Sequence, residues 1–342
     1  MDKIQYISPS LFYYWEKCPL QAILSKQSAI ISVFPKHPDA DLGTIIHKFL
    51  EKQNVWEIYT VEKFEKKWAE EISIINKKYQ ADILQKNYFP IQWNSRYYTV
   101  KKHSLCKRII SRTKKEIVEI NPKSRHEYEK WINSDTIGGK IDFLVIENSE
   151  IKQIVDFKTG NIYESIKNKP QLKEVYRQQL ALYCAVIIER QEFIPELFIE
   201  TMDGNRVNVC LERGYIETLK KKAELLKSKI NSAIETNTIN SLSNCSLENC
   251  GNCNYRPFCE GYKSSLINNL IGKNIDIKGK ILKNELNEVL IETKKCYFVI
   301  KKIKQSDKYK LNYECEIYNL YFPKKEENNL HETLNTVIIY AE

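Results

Sequence analysis

No stretch of this sequence approaches the ~20 unbroken apolar residues that a membrane-spanning helix requires, which excludes a helical membrane protein. A G-x-x-x-x-G-K-[ST] run is also missing, so the chain carries no P-loop motor of its own. Its first residues, Met1-Asp2-Lys3-Ile4-Gln5-Tyr6, lack the apolar centre of an export signal, and the expected location is the cytoplasm. There is no internal repeat. What is present suffices for a core: of 342 residues, 42% are hydrophobic and 28% charged, which sets the chain apart from disordered ones. The length predicts two domains, or one with a sizeable attachment.

The net charge of +9 makes an anionic partner plausible without identifying it. Ten cysteines are too few and too unevenly spread for a disulfide scaffold. In a reduced compartment, clustered cysteines are read first as ligands of a metal or cluster.

Ser8-Pro9-Ser10 opens a short helix that ends near Cys18-Pro19. Helices are predicted over 42–59, with Ile46, Phe49 and Leu50 on one face, over 61–80 and over 105–120. In the last of these, Arg108, Arg112 and Lys115 lie opposite the apolar stripe. They read as a solvated face, and become phosphate contacts only beside an independent nucleic-acid site. Runs 136–146 and 151–157 read as a hairpin, followed by a helix over 171–189, strands at 194–200 and 206–211, and a lysine-rich helix over 215–234. The order defines an α/β core.

The hairpin carries the chemistry. Asp156 and Lys158 share a face because strand side chains alternate. If the turn centres near Ser149, Asp142 stands opposite Asp156. Two opposed carboxylates repel, and a divalent cation is the simplest group to neutralise them, with hard oxygen ligands suiting Mg2+ or Mn2+. The alternative is a structural pair in which Lys158 neutralises one acid and the other faces solvent; the hairpin alone does not choose. Gln179 and Tyr183 lie one turn apart on the next helix, and His47 follows Gly43 beside an apolar stripe. A lone histidine is usually structural, although a neutral imidazole also ligates manganese.

Leu42-Gly43-Thr44-Ile45-Ile46-His47, Gly139-Lys140-Ile141-Asp142, Asp156-Phe157-Lys158-Thr159-Gly160 and Gln179-Leu180-Ala181-Leu182-Tyr183 together resemble the ordered motifs of RecB-type nucleases. This branch of the PD-(D/E)XK superfamily includes the AddB nuclease domain and the CRISPR-adaptation exonucleases. The resemblance spans roughly residues 5 to 262. It implies a restriction-endonuclease-like α/β core with helices around a mixed sheet. It also implies His47, Asp142, Asp156 and the carbonyl of Phe157 as metal ligands, Lys158 as catalytic lysine, and Gln179 and Tyr183 as supporting residues.

Cys250, Cys253 and Cys259 form C-x2-C-x5-C, a strong ligand signal. The fourth ligand is either Cys245, making a zinc knuckle, or the distant Cys18. Iron–sulfur members of the resembled branch have one cysteine before the histidine motif and three after the glutamine–tyrosine motif. The resemblance therefore implies Cys18, Cys250, Cys253 and Cys259 around a [4Fe-4S] cluster of structural role. Cys106, Cys184, Cys210, Cys296 and Cys315 are expected to behave as small buried apolar residues.

After Gly272, five short runs, at 275–281, 289–292, 297–303, 309–318 and 336–340, predict a small OB-like β-barrel. The domains are set at 1–263 and 264–342. Tyr297, Phe298, Tyr313 and Tyr318 offer bases a stacking surface near Lys294, Lys295, Lys301 and Lys302, or else half of them fill the interior. The expectation is a Mg2+- or Mn2+-dependent deoxyribonuclease, an exonuclease acting on DNA ends or single strands. Its role would be in repair or antiviral defence. The other reading is a DNA-end-binding subunit whose cleavage depends on a helicase or a defence-complex partner.

Overall fold

The computed structural model describes residues 2–27, 33–116, 124–265, 267–323 and 328–341. The chain divides into two compact units, Met1–Glu16 with Lys36–Asn237, and Lys17–Pro35 with Thr238–Glu342. The cysteine-bearing stretches thus group with the C-terminal strands.

In the first unit, helices α1 (Pro38–Lys52), α2 (Val61–Ala81) and α3 (Tyr98–Glu116) precede the sheet. His37 caps α1, its ring accepting from the amide of Asp39, and Pro38 occupies the first turn. Leu42, Ile45, Ile46, Phe49 and Leu50 form its buried stripe. The helix ends at Lys52, short of the expected 59, and Ile58 is buried from the following turn.

Five strands make a mixed sheet, with two more in a separate hairpin. β1 (Ser124–Asn133), β2 (Gly138–Glu147) and β3 (Glu150–Lys158) are antiparallel neighbours. β4 (Tyr163–Ile166) and β5 (Lys169–Leu172) form the exposed hairpin. Its turn residues Lys167 and Asn168 both have left-handed backbones, which suits a two-residue turn. This hairpin takes Gln171 out of the expected helix, so α4 runs over Glu174–Ile187. β6 (Glu196–Thr201) then lies parallel to β3, and β7 (Arg206–Asn208) closes the edge before α5 (Arg213–Glu235). Every residue of α4 from Gln178 to Ile187 is buried.

Arg108 corrects the reading of α3 as a bare basic face. It is 7% exposed and ion-paired with Glu200 of β6, which is 1% exposed. The side chains of Arg112 and Lys115 lie outside the described residues.

The second unit holds β8 (Leu270–Ile271), β9 (Asn274–Asn284), β10 (Glu288–Thr293), β11 (Tyr297–Lys301), β12 (Glu314–Tyr321), β13 (Asn329–His331) and β14 (Val337–Tyr340). Pairing runs β9–β10–β11–β13–β12 and returns from β12 to β9, with β11 and β13 parallel. This five-strand circuit fits an OB-like fold roughly; β12 and β13 share the single pair Tyr321↔His331, so it is loosely closed there. Ile277, Ile281, Val289, Ile291, Ile300, Ile317 and Leu330 fill its interior. The expected strand at 309–318 begins at Glu314, and the fifth strand of the circuit is β13, not the 336–340 run.

Gly279 makes β9 and β10 approach closely: a Cβ there would stand 2.2 Å from the carbonyl oxygen of Glu292. Because backbone cannot yield as a side-chain tip can, Gly279→Ala is expected to destabilise this unit by about 1–3 kcal/mol. Denaturant unfolding of the full chain measures it, and an unchanged midpoint would contradict the expectation.

Candidate active site

β2 and β3 bring the two aspartates together. Their turn centres between Asn148 and Ser149, half a residue from the expected position, with Glu147 paired to Glu150. An irregularity beyond Ile146 then shifts the register to Phe143↔Val155, the last pair of the ladder, so Asp142 and Asp156 each stand one residue past it. Asp142 Oδ2 accepts from the Phe157 amide at 2.7 Å, and Oδ1 stands 3.6 Å from His47 Nδ1 on α1. It is the amide of Phe157 that is bonded here; the metal role expected of its carbonyl stays a proposal.

Asp156 is 3% exposed, and its Oδ2 is buried without a hydrogen bond. Oδ2 is 2.6 Å from Lys158 Nζ, and Oδ1 accepts from Gln179 Nε2 at 2.8 Å. Lys158 Nζ donates in turn to Gln179 Oε1 at 3.2 Å and sits 4.9 Å from the centre of the Tyr176 ring. Burial pushes the Asp156 carboxyl up to about 6, with the Asp142 charge adding to it and Lys158 opposing it. Burial lowers Lys158, but the charge and hydrogen bond of Asp156 outweigh it and leave the ammonium more firmly protonated than usual. For His47, burial is likewise outweighed, by Asp142 and Asp156, and its pKa is raised.

Tyr183 does not point at open space. It is 3% exposed, and its hydroxyl donates to the Lys140 carbonyl at 2.6 Å, so it ties α4 to β2 two residues before Asp142.

One residue near these was not legible beforehand. Glu129, on β1, stands between Tyr128, which pairs with Phe143, and Lys130, which pairs with Ile141, and so lies across from Asp142. One ligand atom each from His47, Glu129 and Asp142 lies within 4.8 Å of the others. An octahedral Mg2+ or Mn2+ at ~2.1 Å from each would set such atoms about 3.0 to 4.2 Å apart, a small inward adjustment. Two carboxylates and an imidazole also suit such an ion chemically.

In the second unit, Cys18, Cys245, Cys250, Cys253 and Cys259 line one cavity, so both candidates for the fourth ligand reach it. Cys245 Sγ is 3.7 Å from Cys259 Sγ. The amide of Asn244 donates to Cys18 Sγ at 3.5 Å and that of Tyr262 to Cys259 Sγ at 3.4 Å. Burial raises the free thiols of Cys253 and Cys259 to about 11. Among the other cysteines, Cys184 and Cys315 are buried as expected, Cys106 and Cys296 are half-buried, and Cys210 is exposed, which corrects its assignment to the interior. Of the candidate stacking aromatics, Phe298 and Tyr318 are buried, whereas Tyr297 and Tyr313 are exposed.

A mixed sheet carrying two aspartates, a paired lysine and a helix-borne glutamine is the framework of a metal-dependent phosphodiester hydrolase. Residues 6–260 match the PD-(D/E)XK nuclease superfamily, and the chain belongs to it. No curated protein matches. Among solved structures, "Putative exonuclease" from Eubacterium rectale is similar at 13% identity and a TM-score of 0.37, covering 68% of this chain and 82% of that one. So distant a likeness has no bearing on function. No described helix is long and apolar enough to cross a membrane.

Proposed function

We propose that the chain is a Mg2+- or Mn2+-dependent deoxyribonuclease of the RecB type that hydrolyses DNA from ends or in single strands. The observation that carries this reading is the Asp156–Lys158–Gln179 triangle set beside Asp142 and His47. His47, Asp142, Asp156 and the Phe157 carbonyl would hold the ion, which when bound supplies Lewis-acid polarisation of the phosphate and of water. Lys158 contributes a fixed positive charge where negative charge grows on the phosphate. Gln179 holds both Lys158 and Asp156, so neither must reorient during the reaction. Tyr183 fixes β2 through the Lys140 carbonyl.

Cys18, Cys250, Cys253 and Cys259 are proposed to hold a [4Fe-4S] cluster, supported by their common cavity and the amides aimed at two sulfurs. The C-terminal strands 264–342 are proposed as a nucleic-acid contact through the exposed Tyr297 and Tyr313, the latter beside Lys310 at 5.7 Å.

The test is digestion of end-labelled single- and double-stranded DNA, linear and circular, with Mg2+ or Mn2+. Linear substrates should be degraded, and EDTA should abolish the activity. If the chain is inert on every substrate with either metal, the nuclease reading fails. Iron and acid-labile sulfide should accompany anaerobically purified protein; zinc without iron would refute the cluster.

A further inference from the structure

We propose that Glu129 is a further direct ligand of the active-site metal, added to His47, Asp142 and Asp156, and that it lies outside the four sequence motifs. This rests on the metal-dependent nuclease reading and extends it. The structure sorts the acids of the site by what they are free to do. Asp156 accepts from Gln179 through Oδ1, and its Oδ2, buried and ion-paired with Lys158, accepts no hydrogen bond and stays available to an ion. Asp142 bonds the Phe157 amide through Oδ2 and turns Oδ1 towards His47. Glu129 converges on that same side, within 4.8 Å of both the imidazole and the Asp142 carboxylate. Its side chain is 27% exposed, so an ion can reach it from solvent.

The partner that Glu129 has in this structure is Lys140, at 3.1 Å and with a side chain 58% exposed. A pair so exposed is weak and is exchanged at little cost. A dication bound by Asp142 and His47 competes for the same carboxylate with twice the charge, and the departing ammonium enters water. Lys140 thereby acts as a removable counter-ion of Glu129.

Two substitutions separate a ligand from a mere ion-pair partner, read in the full chain without DNA by calorimetric titration with Mn2+ and by the electron paramagnetic resonance of the bound ion. Glu129→Gln keeps the side chain's size and removes its charge, so Mn2+ binding should weaken by at least ~10-fold. Lys140→Gln removes the competitor and should leave Mn2+ affinity unchanged or raise it. Because any nearby carboxylate attracts a dication, ligation itself is read from the water count of bound Mn2+: Glu129→Gln should add one coordinated water, and an unchanged count overturns the proposal. So does unchanged Mn2+ affinity in Glu129→Gln, with the nuclease reading left standing. Wild-type protein that binds no Mn2+ would bring down both. Circular dichroism and thermal unfolding establish that each variant is folded.

Discussion

Lys158→Ala is expected to lower the rate of DNA cleavage by about 10^2- to 10^4-fold without unfolding the protein. Nζ lies 2.6 Å from Asp156 and 3.2 Å from Gln179, in a pocket that leaves 19% of the lysine side chain exposed. An ammonium so held is aimed in advance, and its charge is little screened by water. The fold should survive because Asp156 has an alternative to burying a bare charge. Burial already lifts its carboxyl to about 6, and Lys158 is the largest force opposing that rise. With the lysine gone, the carboxyl takes up a proton near neutral pH and remains bonded to Gln179. Single-turnover cleavage across a pH series measures the effect, alongside a thermal melt. A rate within threefold of wild type would show that Lys158 has no part in the chemistry. Lys158→Arg should not restore it, since a planar guanidinium cannot occupy the position of a compact ammonium between Asp156 and Gln179.

The second large effect lies in the cysteine-bearing unit. Arg256→Met is expected to destabilise that unit by about 3–5 kcal/mol. Arg256, 4% exposed, donates from Nε to Asp276 at 2.7 Å, from one terminal nitrogen to the Cys253 carbonyl at 2.9 Å, and from the other to Asn319 at 2.7 Å. Asp276 is 2% exposed and is also bonded by the Tyr262 hydroxyl and the Asn319 amide. Removing the guanidinium strands a buried carboxylate and frees the carbonyls of the cysteine loop, and the two losses add because the network shares atoms. Denaturant unfolding of the full chain reads the change, and a loss below ~1 kcal/mol would contradict it. If the cysteines hold the proposed cluster, iron content should fall in the same variant, since the loop bearing Cys250 and Cys253 loses its clamp.

Much of the site was legible because the distances involved are local. Asp156 and Lys158 share a face by strand alternation, and Gln179 and Tyr183 by a helical turn, whatever surrounds them. The nearness of Asp142 and Asp156, each one residue past the last β2–β3 pair, was also legible, although through a turn centre off by half a residue that the irregularity at Ile146 compensates. Cys250, Cys253 and Cys259 announced themselves by spacing.

Other features depended on pairing that no local pattern encodes. β1, Ser-Arg-His-Glu-Tyr-Glu-Lys-Trp-Ile-Asn, is too charged to show apolar alternation and is a strand because β2 pairs with it; Glu129 was hidden accordingly. Arg108 sat on the polar side of its helix by periodicity, yet Glu200 on β6 turns it into a buried ion pair. β13, three residues long, carries little signal of its own and is defined by its neighbours β11 and β12.

The sequence by itself determined the α/β class, the family motifs and which side chains share a face, because alternation and helical pitch act over a few residues. Only the tertiary structure decided that Glu129 stands on the His47 side of Asp142, that Lys158 and Gln179 both reach Asp156, and that Cys18 and Cys245 reach one cavity. Those outcomes follow from strand register and long-range packing, where contacts between residues far apart in the chain outweigh the preferences of each segment.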